Sequence, residues 1–541
     1  MTSSKVARQI LRASLLLFAV NVLLVTLLGG YGWAFKSFHL ESHEIFKSLR
    51  WFNYTFFLLS LVIALKSNSD DAVGRAGDSP NKPWFLIALG VLILGAYYQS
   101  PMVNLHVFEW DHREMSARLH SLRDFVVLFT SPQPNRFYRP LPYISLWLDF
   151  QLFRNHLWAY HLQNLLIHFL NSILVWKVGL QLGLDDRVSR WAALLFSVAA
   201  INFEVVMWPA ARFDLFATLF TLLAMLYLVK HLKSEARSHL LLAAGFFVLG
   251  VLSKESAYCF PFLAALVISL SKPNQRVSLR GRAYSFFPMA LLTIALVSIR
   301  VFVQGGGGYQ GVSWGTAHFQ FNLQTLFLFL MNTLGLTQFA INATVPLAVY
   351  VKVAVVGFVV ALAALALTAK RPDKNIYLLA GMLLLSALPV FALIGWIRPS
   401  LQNSRFLYLP AVWMSFLVAS QLRSGSRLAG PVLALVLLSN ACATRHNVAV
   451  YEEMLSRTDQ LARLVYEDYL NTPVETIHII GLSDAPNGVF YFPSELAFKL
   501  TEKMPGTKVA LVASEESSAI SSTGELVYRW DAKERTLVRQ P

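Results

Sequence analysis

Apolar runs of about 20 residues, long enough to cross a bilayer as helices, recur through this chain and constrain its fold more than any other feature. Inside hydrocarbon every backbone N–H and C=O must be bonded within the protein, which leaves helices or a closed barrel. The runs are continuous and do not alternate, so a barrel is excluded. Spans are expected at residues 11–30, 51–66, 83–99, 157–180, 190–205, 213–230, 240–253, 257–271, 284–303, 345–368, 376–396, 406–421 and 428–444. With 55% hydrophobic residues and a mean hydropathy of +0.51, the expected class is an all-α polytopic membrane protein of about thirteen transmembrane helices. The first run, LRASLLLFAVNVLLVTLLGG, follows Lys5, Arg8 and Arg12 as a secretory signal would. It is long enough to span and no small-residue cleavage site follows, so it reads as the first transmembrane helix.

The formal net charge is +15, and much of the Lys and Arg falls in short loops. Lys66 with Arg75 and Lys82, Arg187 with Arg190, Lys230 with Lys233 and Arg237, Lys272 with Arg276, Arg280 and Arg282, Lys370 with Arg371, and Arg423 with Arg427 all fall on one side under this assignment. That is the positive-inside pattern, and it assigns the basic excess to topology, with no nucleic-acid partner. The run 321–340 would break the alternation and is read as re-entrant or lying along the outer face. The N-terminus is then expected in the cytoplasm and the C-terminus outside, in a bacterial inner membrane. Glycines 305–308 lack a following Lys-Ser or Lys-Thr and read as an external turn, and Cys259 and Cys442 lie in apolar runs.

After Asn447 charged residues return. An amphipathic helix is expected near Tyr451 to Tyr469, and VETIHIIGL, SELAFKLTEKM, KVALVAS, ELVYRW and TLVRQ read as a strand–helix–strand–strand module of α/β or α+β type. The expected organisation is an extra transmembrane hairpin and loop (1–82), a membrane core (83–446) with a first outer loop at 100–156, and a small extramembrane domain (447–541).

Four outer segments carry ionisable groups close to a membrane boundary. The first loop holds Glu109, Asp111, His112 and Arg139; INFEVVMWPAARFDL holds Asn202, Glu204, Trp208, Arg212 and Asp214; LSKESAY holds Lys254 and Glu255; RPSLQNSRFLYLP holds Arg398, Gln402, Asn403, Arg405 and Tyr408. A charge near lipid costs several kcal/mol unless it is paired or hydrated, so their recurrence on one side marks a polar cavity. His161, Asn164, His168 and Asn171 share one face of the helix entering from that side. Such a stripe serves either hydrogen bonding between helices or, for His161 and Asn164 at the mouth, the cavity itself. Moving a sugar from a phospholipid carrier to a hydroxyl needs a carboxylate for the acceptor proton and cations for the departing phosphate. Asp111 suits the first task and Arg139, Lys254, Arg398 and Arg405 the second, although a single Arg also serves as an interface anchor and Trp208 or Tyr408 as an aromatic belt. No cofactor is otherwise implied. Asp111, His112 and Glu204 could hold a divalent metal, but their spacing is specific to none.

The runs FEWDH, FYRPLPYISLWLDFQLF, YHLQNLLIHFLNSILV, FEVVMWPAARFDLFATLF, LSKESAY and NSRFLYLP, in this order, resemble the GT-C superfamily of integral membrane glycosyltransferases. The branch is that of the protein O-mannosyltransferase-like transmembrane and TPR-repeat proteins and their bacterial relatives, and the resemblance covers approximately Trp84 to Ser420. It implies a multi-helix fold, a polyprenyl- or dolichyl-phosphate-linked sugar as donor, a lipid, glycan or protein acceptor, and transfer on the outer face with inversion at the sugar carbon. It also implies an essential first-loop acid at Asp111, a helix motif at His161 and Asn164, an acid at Glu204, the Arg212 and Asp214 pair, and the Lys254 and Glu255 pair. Three departures stand out. Asp111 is followed by His112 where relatives tend to carry paired acids. Ala199-Ala200-Ile201-Asn202-Phe203-Glu204 stands where they carry His-Pro-x-His-x-Glu, and the tail lacks a TPR period. These departures leave metal dependence open and keep a catalytically degenerate scaffold as an alternative. A lipid-linked sugar transporter or flippase is a third reading, which would place its ionisable groups near the midplane of repeated halves.

Overall fold

The computed structural model of the chain describes residues 82–97, 121–131, 138–153, 157–270, 279–303, 374–397, 401–420, 429–482, 492–512, 525–531, 534 and 536–540. The runs at 11–30, 51–66, 321–340 and 345–368, and with them Asp111, His112 and Arg398, lie outside the described residues.

Helix α1 (Lys82–Tyr97) is followed by the short helix α2 (Leu122–Thr130). Its start is fixed by a capping box, with Ser121 Oγ accepting from the Asp124 N–H and Asp124 Oδ2 accepting from the Ser121 N–H at 2.7 Å. Then come α3 (Pro140–Phe153), α4 (Leu157–Gln181) and α5 (Asp186–Val198). The apolar run expected as one span at 190–205 is broken. α5 ends at Val198, a 3₁₀ turn covers Ala200–Asn202, and α6 (Phe203–Met207) leaves at a bend of 49°. A second turn, Pro209–Ala211, leads into α7 (Arg212–Ser234).

Three other expected spans begin or end in 3₁₀ helix without such a bend. After α8 (Arg237–Ser253) a 3₁₀ turn, Glu255–Cys259, precedes α9 (Phe260–Leu270); α10 (Leu279–Val303) follows. α11 (Lys374–Ala387) passes into 3₁₀ helix over Leu388–Trp396, and 3₁₀ turn Ser404–Leu407 precedes α12 (Tyr408–Ala419). A break of this kind frees backbone groups that must find other partners. At the first break they find them: Asn202 Nδ2 donates to the Phe196 carbonyl at 2.8 Å, Thr444 Oγ1 donates to the Val198 carbonyl at 3.1 Å, and the Ala200 N–H donates to Asn440 Oδ1 at 3.1 Å.

Asn440 and Thr444 belong to α13 (Ala429–Asn471), a single helix of 43 residues, about 65 Å long at about 1.5 Å per residue. The last expected span and the amphipathic segment after it are therefore one helix, and the boundary expected at 446/447 falls inside it. Buried Leu433, Leu437, Ala441, Val448, Leu455, Ala462 and Val465 run along one face at helical spacing. Beyond it stand β1 (Thr476–Ile480), α14 (Phe492–Lys503), β2 (Lys508–Val512), β3 (Leu526–Asp531) and β4 (Thr536–Arg539), in the order β2-β1-β3-β4. β1 is parallel to both β2 and β3, while β4 runs antiparallel to β3. This module is tied to α13 by Lys499 of α14 with Asp459 (2.7 Å) and by the Tyr528 hydroxyl of β3 donating to Asp468 (2.6 Å).

The membrane character shows in what faces outward. Pro209–Ser234 and Tyr284–Val303 are long and apolar enough to cross a bilayer, and the bent pair formed by α5 with the turn and α6 passes the same test. α10 exposes Tyr284, Phe287, Leu291, Ile294, Val301 and Phe302, a face suited to lipid and not to water. α5 lies at the centre, with every residue from Trp191 to Val198 buried. Phe196 packs on His168 of α4 and on Tyr408 of α12. At one end of this bundle the helices meet in basic turns, where Lys233 donates to Gln181 and Arg190 pairs with Asp186. The helix breaks lie at the opposite end.

At Gly179 α4 lies tight against α5 and α12, since an added Cβ would lie 2.6 Å from the Phe416 ring and 2.6 Å from Ser189 Oγ. Gly179→Ala is expected to destabilise the bundle by about 1–3 kcal/mol through overpacking, read as a lower midpoint in thermal unfolding of the detergent-solubilised protein.

Candidate functional site

The broken ends of the helices carry a belt of charge. Arg212, the first residue of α7, is fully buried. Its guanidinium pairs with Asp149 of α3 and donates to Ser145 Oγ (3.0 Å), to Asn164 Oδ1 (3.0 Å) and to the Tyr160 carbonyl (3.2 Å). A planar fork with five N–H groups suits such a cage, and the paired carboxylate makes the buried charge tolerable. Asn164 turns its Nδ2 to the Trp208 carbonyl at 3.0 Å, so the first half of α4 is tied to the turn before α7.

From Trp208 the belt continues through Arg405, whose guanidinium lies 4.9 Å from the Trp208 ring and 4.9 Å from the Phe406 ring. Arg405 also pairs with Glu204, whose second oxygen accepts from the Arg405 backbone N–H at 2.9 Å. Phe406 is shared, because Lys254 lies 5.1 Å from the same ring. Lys254 Nζ donates to both oxygens of Asp214 at 2.6 Å. The next residue, Glu255, takes Arg139 (2.6 Å) and Arg300 (2.5 Å) on its two oxygens. Lys254 has extended backbone (φ −163°, ψ 153°), which lets neighbouring side chains of opposite charge reach different helices: α7 on one side, α3 and α10 on the other.

Both groups of this turn have shifted proton affinities. Burial pulls Lys254 down to about 8 against the attraction of Asp214, with Arg139 and Arg405 adding to the fall. Burial alone would raise the Glu255 carboxyl, but Arg139 and Arg300 outweigh it and hold the group below the usual carboxylate range. In the belt as described, the cations Arg139, Lys254, Arg212, Arg300 and Arg405 face the carboxylates Asp149, Glu204, Asp214 and Glu255, one positive charge in excess.

Of the residues singled out from sequence, the belt unites Arg139, Asn164, Glu204, Arg212, Asp214, Lys254, Glu255 and Arg405. His161 is buried one turn before Asn164. His168 and Asn171 serve helix packing: His168 Nε2 bonds the Ser197 carbonyl (3.0 Å) and Nδ1 the Tyr408 hydroxyl (2.7 Å), while Asn171 donates to the Leu215 carbonyl and to Tyr408. Because a carbonyl only accepts, that bonding assigns the proton to Nε2. Tyr408 is fully buried and is no belt aromatic. Asp149, Ser145, Arg300 and Phe406 were not singled out. For Asp149 and Arg300 the signal was present, an ionisable residue inside an apolar run. Among the described residues no group of three His, Cys, Asp or Glu side chains could hold a metal, and both oxygens of Glu204 are engaged by Arg405.

Residues 134–302 match the family model described as dolichyl-phosphate-mannose-protein mannosyltransferase. A protein O-mannosyl-transferase of Caenorhabditis elegans is 27% identical over 186 residues, which are 32% of this chain and 24% of the relative. Protein O-mannosyl-transferase TMTC3 of Mus musculus is 38% identical over 93 residues, 17% of this chain and 10% of the relative. The alignments thus span about a quarter and about a tenth of the lengths of these relatives. Among solved structures, ArnT from Cupriavidus metallidurans bound to undecaprenyl phosphate has a TM-score of 0.42 at 12% identity, covering 84% of this chain and 94% of its own. The chain resembles the GT-C glycosyltransferases of the O-mannosyltransferase kind, and the matched segment carries most of the belt.

Asp149 lies in that segment, and its removal strands a fully buried cation. Asp149→Leu is expected to cost about 3–5 kcal/mol in thermal or denaturant unfolding, whereas Asp149→Leu combined with Arg212→Leu regains most of the loss.

Proposed function

We propose that the chain is a membrane glycosyltransferase that moves a sugar from a polyprenyl-phosphate carrier to a lipid, glycan or protein hydroxyl on the outer face of a bacterial inner membrane. The observation that carries this reading is the belt itself, charged groups from five separated segments gathered at one end of a helical bundle and largely within the matched residues 134–302. In this scheme the acceptor oxygen attacks the anomeric carbon, the carbon–oxygen bond to the phosphate breaks with inversion, and polyprenyl phosphate leaves with the electron pair. Asp111 takes the acceptor proton.

The cations divide by exposure. Arg212, with no exposed side-chain surface, braces the site, whereas Arg405, the most exposed of the five at 20%, is assigned to the carrier phosphate, with Arg139 and Arg398 beside it. The excess positive charge of the belt suits an anionic headgroup that brings its own negative charge. Mannose is the first sugar to test. The basic turns then face the cytoplasm with the N-terminus, and the sheet at the end of α13 stands outside.

Purified protein given radiolabelled polyprenyl-phosphate-mannose and acceptor membranes from cells lacking the gene is expected to transfer label. Asp111→Asn should lower that rate by roughly 100-fold or more. Arg405→Lys, which keeps the charge but loses the fork, should raise the donor KM about tenfold. Label transfer by Asp111→Asn at the wild-type rate sinks the base assignment, and wild-type protein that binds partners without any turnover favours the scaffold alternative. Topology has its own check. Lys508→Cys, on the exposed edge strand β2, should react with a membrane-impermeant maleimide added outside intact spheroplasts.

A further inference from the structure

The break between α5 and α6 puts Glu204 where it meets Arg405, and of the three side chains that hold the break together only Asn202 lies in the matched segment. Two of them stand on α13, 240 and 246 residues further along the chain. Asn440 is oriented by two bonds: its Nδ2 donates to the Val436 carbonyl of its own helix at 3.0 Å, which turns Oδ1 to the Ala200 N–H. One turn later Thr444 gives its hydroxyl proton to the Val198 carbonyl. Two turns further Tyr451, also buried, packs edge to face on Phe203, the residue before Glu204, with ring centroids 4.8 Å apart.

We infer that Asn440 and Thr444 are positioning residues that set the Glu204–Arg405 pair from α13. The inference rests on the transferase reading for its effect on turnover. Ala200 and Val198 are both fully buried, so their amide and carbonyl have no water to turn to. A break left with an unpaired N–H or C=O regains bonding by winding toward continuous helix, and that rotation moves Glu204 off the Arg405 backbone N–H. The staple acts through the backbone and touches no substrate.

The sequence at the break supplies a test that separates positioning from bulk stability. Ala199 has φ −56° and ψ 120°, a conformation that a following proline accepts, and residue 200 opens the turn as proline commonly does. Ala200→Pro removes the N–H that Asn440 serves. In the full-length protein, Asn440→Leu and Thr444→Val are expected to raise amide exchange across residues 199–207 and 401–407, and to lower kcat for polyprenyl-phosphate-mannose about tenfold with the donor KM held. Thr444→Ser should restore the wild-type values. In the Ala200→Pro background, Asn440→Leu should change neither exchange nor kcat by more than about twofold, the mark of a coupled pair.

Unchanged exchange in both segments for Asn440→Leu and Thr444→Val overturns the inference whatever the turnover. Equal loss from Asn440→Leu with and without Ala200→Pro also overturns it, by reducing Asn440 to general packing. Altered exchange in a protein whose wild type transfers no sugar upholds the staple and instead rejects the transferase reading.

Discussion

A fully buried guanidinium is the constraint on which the site depends. Arg212 sits where α3, α4 and α7 meet, and a charge withdrawn from water is tolerable only if it is paired and hydrogen-bonded. Asp149, Ser145, Asn164 and the Tyr160 carbonyl supply that fixity, and in doing so they hold three helix ends in one register. Asn164 passes the order on to the Trp208 carbonyl, and from there it reaches Arg405 and Glu204. The rest of the belt is the same principle at lesser depth. Each carboxylate engages at least one cation, and the aromatic rings of Trp208 and Phe406 fill the spaces between cations that would otherwise repel.

The helix breaks and the charges belong together for a physical reason. A continuous helix satisfies its own backbone and presents only side chains, whereas a broken one offers free N–H and C=O groups that tolerate, and orient, polar neighbours. Glu204 accepting from the Arg405 backbone N–H is one such use. Lys254 in extended backbone is another, because it throws adjacent residues of opposite sign toward different helices.

The helices between 157 and 303, apart from the break in the run 190–205, and the alternation after Val474 were legible in the sequence, because periodicity and apolar length report local structure directly. Most of the charged residues of the belt were also conspicuous as ionisable groups in an apolar chain. Their pairing was not. Arg212 and Asp149 are 63 residues apart, Glu204 and Arg405 are 201 apart, and spacing along the chain says which face a residue takes but nothing of what stands opposite. For the same reason the cage of Asp149, Ser145, Asn164 and the Tyr160 carbonyl around Arg212, and the contact of Tyr408 with His168, were not legible. The break at Ala199 escaped because neither Gly nor Pro marks it; Asn202, Asn440 and Thr444 do the work with side chains. The unbroken α13 escaped because its composition changes from apolar to charged halfway while its helical period does not.

The lateness of α13 in the chain has a consequence for biogenesis. A membrane protein is threaded into the bilayer from its N-terminus, so the helices that carry Glu204 and Arg212 emerge from the insertion machinery well before residue 440 is synthesised. Until then the amide of Ala200 and the carbonyl of Val198 lack their final partners, and the break stays unfinished. Completion of the break therefore waits for the last long helix, although the residues that carry the charges are made long before it.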